Sequence, residues 1–367
     1  MERGEILSWL RQDDPRELER LWGLADSLRQ ENLGDEVHLR GLVEVSSHCG
    51  RNCLYCGLRR NNDGLERYRM GEEEILACAS RAAELGYFTV VLQSGEDRAL
   101  DTGKVSRVIR RIRQELPSMA ITLSLGERST EELALWRESG ADRYLLRFET
   151  SRRDLYRMIH PPSGDDSTSD RFRILHQLRA LGYETGSGVM VGIPGQSYSD
   201  LADDILAFGS LDLDMIGSGP YLPHPDTPLG RLYRAARAGV AGQVPNSLEM
   251  ACKVIALTRV VCPQANIPAT TALAALDRES GYRLGLQRGA NVVMPNLTPP
   301  RYRALYQIYP GKAGLSGEEE QHAAVAGMIA GIGRRVGASR GDSPNYLKRT
   351  ATAHKQGREM KCLQPQA

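Results

Sequence analysis

The stretch Gly41-Leu-Val-Glu-Val-Ser-Ser-His-Cys-Gly-Arg-Asn-Cys-Leu-Tyr-Cys56 decides the interpretation of this chain. Its first seven residues are largely apolar and β-branched and predict a buried strand, so the cysteines that follow lie on the loop leaving that strand. Cys49, Cys53 and Cys56 have the spacing C-x3-C-x2-C, and Gly50 provides permissive backbone between two of them. A [4Fe–4S] cube has four corners, so three thiolates leave one iron open to a ligand that is not protein. We therefore expect an iron–sulfur cluster with one free coordination position at this loop.

Other uses of these cysteines fit the spacing less well. A structural zinc site takes four closed ligands, usually as two pairs of Cys or His, and only His48 is nearby. A disulfide framework is uncommon in a chain of 367 residues with seven cysteines, and the other four show no pairing pattern: Cys78, Cys252, Cys262 and Cys362. Zinc binding and chance spacing remain the alternative interpretations.

The composition is that of an ordinary soluble globular protein, with 41% hydrophobic and 25% charged residues. A net charge of +1 does not indicate a nucleic-acid partner, and no apolar run approaches the roughly 20 residues of a membrane span. The amino-terminal segment lacks the apolar core of a signal peptide. Free thiols and an oxygen-sensitive cluster predict a cytoplasmic location. The net charge and the short apolar runs predict no nucleic-acid or membrane partner.

Eight predicted strands alternate with predicted helices from residue 41 onward. The predicted strands are 41–47, 88–93, 119–125, 143–149, 183–191, 213–218, 265–271 and 289–294. The predicted helices are 72–85, 101–116, 129–138, 168–181, 199–209, 246–261 and 276–286. Ser129 with Glu132, and Asn246 with Glu249, predict capping boxes at two helix starts. Such alternation over about 250 residues is typical of a complete parallel (β/α)8 TIM-type barrel, whose functional residues lie at the carboxyl ends of the strands.

Two segments flank the predicted barrel. Apolar positions at helical spacing in residues 5–30 predict two amphipathic helices. A Ser316/Glu319 capping box predicts a helix over 318–334, and the basic residues 334–367 are interpreted as a partly ordered, solvated tail. The predicted domains are therefore 1–34 (helices), 35–312 (barrel) and 313–367 (helix and basic tail).

The cysteine spacing, with the aromatic Tyr55 just before the last cysteine and a position after the first strand of a βα barrel, resembles the radical S-adenosylmethionine (SAM) superfamily. The resemblance implies that the open iron binds the amino and carboxylate groups of the methionine moiety of SAM. A reduced cluster then cleaves the sulfonium C–S bond and yields a 5′-deoxyadenosyl radical. The implied cofactors are one [4Fe–4S] cluster and SAM.

The resemblance also implies cofactor contacts at the strand ends. Glu149 would accept hydrogen bonds from the ribose hydroxyls, and Arg171 would pair with the carboxylate of the methionine moiety. An ion pair with Arg147 is the structural alternative for Glu149. The full set of implied contacts is Tyr55, Ser94, Gly95, Glu96, Glu149, Arg171 and Met215, with the backbone of 192–194 beside the adenine.

Several longer stretches are similar to the HydE family of [FeFe]-hydrogenase maturases. They span about residues 35–312 and comprise Cys53–Arg60, Val91–Asp97, Gly182–Gly186, Met190–Gln196, Pro223–Pro228, Asn266–Thr271 and Asn291–Asn296. The similarity implies assembly of the diiron subcluster from a mononuclear iron precursor that bears CO, cyanide and a cysteine ligand. A HydG-like partner would deliver this precursor, and a HydF-like scaffold would be a further partner. The adenosyl radical would attack the sulfur of the cysteine ligand.

The family pattern implies a set of substrate contacts inside the barrel. Hydroxyl groups at strand ends suit a cysteine-derived amino acid, and Arg147 suits its carboxylate. Thr122 points inward if Ser124 does, because alternate strand residues share a face. Packing is the alternative role for each member of this set: Ser94, Thr122, Arg147, Thr270, Thr271, Met294, Tyr302 and Tyr306.

Two departures from the family pattern are visible. Many HydE proteins have a second cysteine cluster after the Tyr-Pro-Gly-Lys stretch, but here Tyr309–Lys312 is followed by no cysteine until Cys362. A second cluster is therefore not expected. Phe148 stands where the family pattern has a histidine beside Glu149.

Three competing functions remain open. Methylornithine synthase, a radical SAM amino-acid mutase, and biotin synthase, a sulfur-inserting enzyme, share the barrel and the cysteine motif. An iron–sulfur scaffold that passes its cluster to a partner would need the cysteines but not Glu149 and Arg171.

Overall fold

The computed structural model describes residues 1–162, 169–235, 242–310 and 317–352. Its helices are α1 (Arg3–Arg11), α2 (Pro15–Leu33), α3 (Glu72–Glu84), α4 (Thr102–Glu115), α5 (Thr130–Glu138), α6 (Arg153–Ile159), α7 (Arg171–Ala180), α8 (Tyr198–Ser210), α9 (Pro228–Ala235), α10 (Leu248–Val261), α11 (Thr271–Leu276), α12 (Gly281–Gln287), α13 (Pro300–Arg303) and α14 (Glu318–Gly331). Its strands are β1 (Glu36–Leu39), β2 (Gly41–Ser46), β3 (Thr89–Ser94), β4 (Ala120–Ser124), β5 (Arg143–Leu145), β6 (Glu184–Ser187), β7 (Met190–Val191), β8 (Met215–Ile216), β9 (Gly219–Pro220), β10 (Val292–Val293) and β11 (Arg335–Val336).

A parallel sheet of six strands, in the order β2-β3-β4-β5-β6-β8, forms the centre of the α/β fold. All six positions of β2 are buried, as expected for a sheet covered on both faces. The predicted strands 41–47, 88–93 and 119–125 correspond to β2, β3 and β4. Because all six strands run parallel, their carboxyl ends meet on one side of the sheet, where the cysteine loop leaves β2.

Single parallel bridges extend the ladder beyond both edges of this sheet. They join Met215 to Asn266, Pro268 to Val292 and Leu42 to Asn296. The prediction of a continuous strand over 265–271 is wrong, since this segment makes only single bridges. Pro268 lacks the N–H that a regular ladder requires at its position.

The fourth predicted strand, 143–149, is regular only in β5 and then bends. Leu146 N–H still donates to the Gly186 carbonyl at 3.0 Å, and Glu149 N–H donates to the Gly188 carbonyl at 3.1 Å. The chain remains bound to its neighbour up to Glu149, so the side chain of this residue leaves the sheet at its carboxyl end.

The two predicted amino-terminal helices are confirmed as α1 and α2, which pack against α8 and α10 respectively. The predicted capping box of Ser129 and Glu132 is confirmed at the start of α5. The capping box predicted at Asn246 is wrong, because α10 begins later and the hydroxyl of Ser247 caps it. The Asn246 side chain instead donates to the Tyr221 carbonyl at 2.7 Å.

Residues 334–349, which we call the carboxyl-terminal strap, pack against the amino ends of the strands. β11 pairs in parallel with β1, and residues 344–352 are helical. Ser343 is fully buried, and its N–H donates to Glu184 at 3.0 Å. The expectation of a solvated tail is therefore wrong for this part of the chain. Ser316, Lys312 and Cys362 lie outside the described residues.

None of the described helices combines the length and the apolar character that crossing a membrane requires.

Candidate functional site

The three motif cysteines are half-buried free thiols on the loop after β2. Burial raises the pKa of all three thiols, that of Cys53 to about 12. Backbone N–H groups of Arg51 and Glu96 are directed at the Cys49 sulfur and lower its pKa in part. Hydrogen bonds of this kind stabilise thiolates that bind iron–sulfur clusters. Among the described residues, no three Cys, His, Asp or Glu side chains lie close enough to hold a single metal ion.

The cysteine loop is held against the carboxyl end of β3 by a close backbone approach at Gly95. A Cβ atom at this position would lie 2.3 Å from the carbonyl oxygen of His48 and 2.8 Å from the Cβ atom of Cys49. The N–H of Gly50 donates to the carbonyl of Glu96 at 2.8 Å. Gly95 thus serves the site through its small size, not through its side chain.

Alternating charges lie beside Cys53. Arg51 is 2.7 Å from Glu96 and 2.8 Å from Glu127, and Arg171 is 2.9 Å from the other oxygen of Glu127. Burial raises the pKa of Glu96. Burial would also raise the pKa of Glu127, but Arg171 and the Ser169 hydroxyl lower it. The result is a compact group of two cations and two carboxylates next to the cysteine loop.

Glu149 occupies a strained backbone position at φ 63, in the left-handed region that favours glycine. Its carboxylate is buried, with Arg147 Nη2 3.1 Å from Oε2 and the Tyr55 hydroxyl 3.5 Å from Oε1. The contact with Arg147 is an ion pair but is not aligned as a hydrogen bond, so Oε2 has no hydrogen-bond partner among the described residues. Both predicted roles of Glu149, the ion pair and an acceptor for a ligand, are compatible with this geometry.

His160 fixes the orientation of Tyr55. The Nδ1 atom of His160 lies 3.2 Å from the carbonyl of Tyr156, which can only accept, so Nδ1 carries the proton. Nε2 therefore accepts the hydroxyl hydrogen of Tyr55 across 3.0 Å. Burial, with Arg171 nearby, holds the pKa of His160 well below its usual value, so the ring remains neutral.

Two cavities meet the cysteine loop. A cavity of about 310 Å³ lies within the strands and includes Cys56 in its wall. Most of the predicted contacts line it: Tyr55, Ser94, Thr122, Arg147, Glu149, Met215, Thr270, Thr271 and Met294. A smaller cavity of about 140 Å³ is lined by Cys53, Arg51, Glu127, His160 and Arg171, among others.

Five predicted site residues line neither cavity: Cys49 and four of the predicted cofactor and substrate contacts, which are Gly95, Glu96, Tyr302 and Tyr306. The hydroxyl of Tyr302 donates to Glu74 at 2.9 Å, and its ring stacks on Tyr68. Tyr306 is buried behind Gln93, whose side-chain amide donates to its hydroxyl at 3.3 Å. Gly95 and Glu96 meet the cysteine loop through backbone contacts and Arg51, as described above.

Sequence reasoning missed several residues of the site. Arg51 and Glu127 belong to its charged group, and His160 orients Tyr55. Tyr309 lines the larger cavity, with its hydroxyl 2.5 Å from that of Thr271. Glu127 alone had a usable signal, since it follows Gly126 just after the predicted strand 119–125. The other three lie on loops, where no periodic pattern predicts their direction.

The comparisons with known proteins agree with this geometry. The Radical SAM superfamily model matches residues 43–207. The chain is 47% identical over 294 residues to the [FeFe] hydrogenase maturase subunit HydE of Thermotoga maritima, with 80% of each chain covered. This chain belongs to the HydE family of radical SAM enzymes. Membership of the HydE family implies a [4Fe–4S] cluster and SAM as cofactors.

Solved structures show the same fold at lower identity to this HydE-family chain. A crystal structure of methylornithine synthase matches with a TM-score of 0.77 at 24% identity, covering 92% of this chain and 94% of the other. The FeFe-hydrogenase maturase HydG from Carboxydothermus hydrogenoformans matches with a TM-score of 0.71 at 18% identity, covering 91% and 75%. Both likenesses concern the fold alone.

Proposed function

We propose that this enzyme binds one [4Fe–4S] cluster through Cys49, Cys53 and Cys56 and cleaves SAM during assembly of the diiron subcluster of [FeFe] hydrogenase. One observation carries the proposal. Cys56, Tyr55 and Glu149 share the wall of a single cavity with the hydroxyls of Thr122 and Thr270. A cofactor held at the cysteine loop and a substrate held deeper between the strands would therefore face each other.

The residues present fit the cluster. Three thiols on one loop can hold three irons, and the N–H groups directed at Cys49 favour its thiolate form. When bound, the reduced cluster with SAM supplies a 5′-deoxyadenosyl radical. The protein's own contribution is to bind, to orient and to exclude water around the reacting atoms.

The charged group beside Cys53 suits the methionine moiety of SAM, which carries one ammonium and one carboxylate. Arg51 and Arg171 offer positive charge, and Glu96 and Glu127 offer negative charge, within hydrogen-bonding distance of one another. A zwitterionic ligand would exchange these internal pairs for its own pairs at little electrostatic cost. Glu149 Oε2, which has no hydrogen-bond partner among the described residues, would accept from the ribose hydroxyls. Met215 lines the same cavity and would lie beside the adenine.

The deeper part of the cavity suits an amino acid bound to an organometallic centre. The hydroxyls of Thr122 and Thr270 are buried and have no hydrogen-bond partner among the described residues, so a polar ligand would satisfy both. Arg147 is a candidate partner for the carboxylate of the cysteine ligand. The proposed substrate is the mononuclear iron species with CO, cyanide and cysteine ligands, supplied by a HydG-like partner and passed on to a HydF-like scaffold.

The proposal includes a closed (β/α)8 barrel. The bridges at Asn266, Pro268 and Asn296 support closure, because they connect β8 to β10 and β10 to β2. A closed wall would keep water and loose side chains from a primary carbon radical. The same proposal keeps the domain division at 1–34, 35–312 and 313–367, and a cytoplasmic location.

The first test is iron content after anaerobic reconstitution with iron and sulfide. We expect the wild-type protein to bind a cluster whose magnetic spectrum changes on addition of SAM. Cys49→Ala, Cys53→Ala and Cys56→Ala should each lose the cluster, whereas Cys262→Ala, at the carboxyl end of α10, should retain it. Zinc in place of iron, or a spectrum that ignores SAM, would refute the cofactor assignment.

The second test concerns the substrate. Formation of 5′-deoxyadenosine should be stimulated by a synthetic iron complex with CO, cyanide and cysteine ligands. Free lysine, offered in parallel as the substrate of a mutase, should give no stimulation. Stimulation by lysine alone would instead favour a methylornithine synthase activity.

A further inference from the structure

A buried carboxylate on α8 joins two loops at the carboxyl ends of the strands. Asp204 is fully buried. Its Oδ1 atom accepts hydrogen bonds from the Ser151 N–H at 2.5 Å, the Ser151 hydroxyl at 2.6 Å and the Thr150 hydroxyl at 3.3 Å. Its Oδ2 atom accepts from the Gln196 side-chain amide at 3.2 Å. One side chain is thus bonded to the segment just after Glu149 and to the loop that ends at Gln196.

Gln196 continues the connection into the second loop. Its Oε1 atom accepts from the N–H of Gly192 at 2.8 Å and from the N–H of Ile193 at 3.3 Å. Its amide group also donates to the carbonyl of Met190 at 3.2 Å. The backbone at Gly192 is left-handed, with φ 82, a conformation that favours glycine. The loop from 190 to 196 is therefore folded around the side chain of Gln196.

Both ends of this network border the larger cavity. Glu149 and Met190 line it, and the Met190 N–H donates to the Glu149 carbonyl at 3.1 Å. Ile193 packs in the apolar cluster that borders Tyr55. The network therefore holds the strained residue Glu149 on one side and, on the other side, the apolar cluster that contacts Tyr55.

A purely structural contact does not need a carboxylate here. Asp204 forms no ion pair among the described residues, although burying an uncompensated charge is costly. Burial raises the pKa of its carboxyl group to about 7, against the hydrogen bonds that favour the charged form. Apolar packing of α8 on the loop would be cheaper, so the polar network is better explained by the exact backbone geometry that it enforces.

We propose that Asp204 is a positioning residue of the cofactor pocket, which acts through Ser151 and Gln196 to hold Glu149 and the 190–196 loop in the geometry that binds SAM. This inference rests on the proposed function, because it takes Glu149 as the residue that binds the ribose. It assigns a role in SAM binding to a residue that lies neither in the cysteine motif nor in the wall of either cavity.

The Asp204→Asn variant tests the inference. Its amide can still accept from Ser151, but its NH2 group would oppose the NH2 group of Gln196. We expect faster amide hydrogen exchange at Gly192 and Ile193 in protein without cluster or SAM. In reconstituted enzyme the KM for SAM should rise by roughly tenfold or more, because small displacements of the binding groups weaken their contacts with the ligand strongly.

Three further variants make the result specific. Gln196→Met removes the bond to Asp204 from the other side. It should likewise give faster exchange at Gly192 and Ile193 and a higher KM for SAM, and it provides a test if Asp204→Asn does not fold. The double variant Asp204→Asn/Gln196→Glu restores a donor facing an acceptor between these two side chains but removes the donor to the Met190 carbonyl, so it should recover part of the SAM affinity that Asp204→Asn loses. Asp214→Asn is the matched control, since Asp214 is equally buried but bonds Thr185 and Arg349 at the opposite end of the strands. It should lower stability without changing the KM for SAM.

The outcomes separate the two proposals. If the wild-type protein neither binds nor cleaves SAM, the proposed function fails. If the wild type does both while Asp204→Asn and Gln196→Met keep wild-type exchange and affinity, only the positioning role fails. An equal loss of SAM affinity in Asp214→Asn would likewise reduce Asp204 to a structural residue.

Discussion

Glu149 combines a backbone cost with a side-chain requirement. Among the described residues only Glu149 and Asp212 have a positive φ without being glycine. A left-handed conformation costs an L-residue about 1–2 kcal/mol, which a purely structural position would avoid by using glycine. Strain of this kind is concentrated at functional sites, where neighbouring contacts hold it in place. The position thus points to the carboxylate as the reason for the strain.

Two variants of Glu149 separate these effects. Glu149→Gly and Glu149→Ala both remove the carboxylate, so both should lose most SAM affinity in the reconstituted enzyme. Glu149→Gly should be the more stable of the two by about 1 kcal/mol in free energy of unfolding, because glycine accepts this backbone without strain. Chemical denaturation of both proteins measures the difference. Equal stabilities would indicate that the backbone relaxes, and retained SAM affinity in both would remove Glu149 from the cofactor pocket.

At the scale of single elements, the cysteine loop depends on its neighbour, the end of β3. Gly95 is in contact with the His48 carbonyl and with Cys49, and its N–H donates to the Ser46 carbonyl at 3.2 Å. Backbone atoms cannot move away as a flexible side chain can, so an added methyl group would displace the loop itself. The geometry of the proposed cysteine ligands is therefore set partly by Gly95, which has no side chain.

Gly95→Ala should accordingly weaken the cluster site. We expect a marked loss of iron after reconstitution, although all three cysteines are present. Gly23→Ala is the matched control, since a Cβ atom at this position of α2 meets nothing within 4 Å. The control should retain full iron content and gain about 0.5–1 kcal/mol of stability from improved helix propensity. Full iron content in Gly95→Ala would show that the loop does not need the close approach.

The elements that sequence reasoning found are those with local signals. β2, β3 and β4 coincide with apolar runs in the sequence, and the spacing of the three cysteines identifies the loop after β2. The segment 265–271 has the composition of a strand, yet Pro268 limits it to single bridges. Arg51 and Glu127 escaped notice because their pairing joins two loops 76 residues apart. Such contacts depend on the tertiary fold and leave no periodic pattern.

At the scale of the whole molecule, the carboxyl-terminal strap covers the amino ends of the strands. Arg143, which is fully buried, pairs with Glu184 and lies 2.6 Å from Asp342 of the strap. Arg349 lies 2.6 Å from the buried Asp214. Sequence reasoning took this segment as solvated because it is polar and basic. Its polar groups instead satisfy buried charges on the strands, a pairing that composition does not reveal.

The ring of His38 on β1 lies between two glycines of the strap. A Cβ atom at Gly337 or at Gly341 would come within 2.5 Å of the His38 ring. Burial lowers the pKa of His38 to about 4, with further lowering by Arg40 and Arg143 and a small opposing effect of Asp342. In the unfolded chain the ring takes up a proton below about pH 6.5, whereas the folded protein keeps it neutral. Its contribution to stability is therefore complete above pH 6.5 and is lost as the pH falls from 6.5 towards 4.

We expect the wild-type protein to lose about 2 kcal/mol of unfolding free energy between pH 7 and pH 4.5 that His38→Gln does not lose. The strap should respond first, because a charged ring would face the cations Arg40 and Arg143, which the carboxylate of Asp342 offsets in part. Denaturation at a series of pH values measures the stability difference, and hydrogen exchange at the Gly337 amide, bonded to the Val37 carbonyl at 2.9 Å, measures release of the strap. His176→Gln on the exposed face of α7 should leave the pH profile of the wild type unchanged. Parallel profiles for wild type and His38→Gln would mean that the strap stays closed for reasons other than this neutral ring.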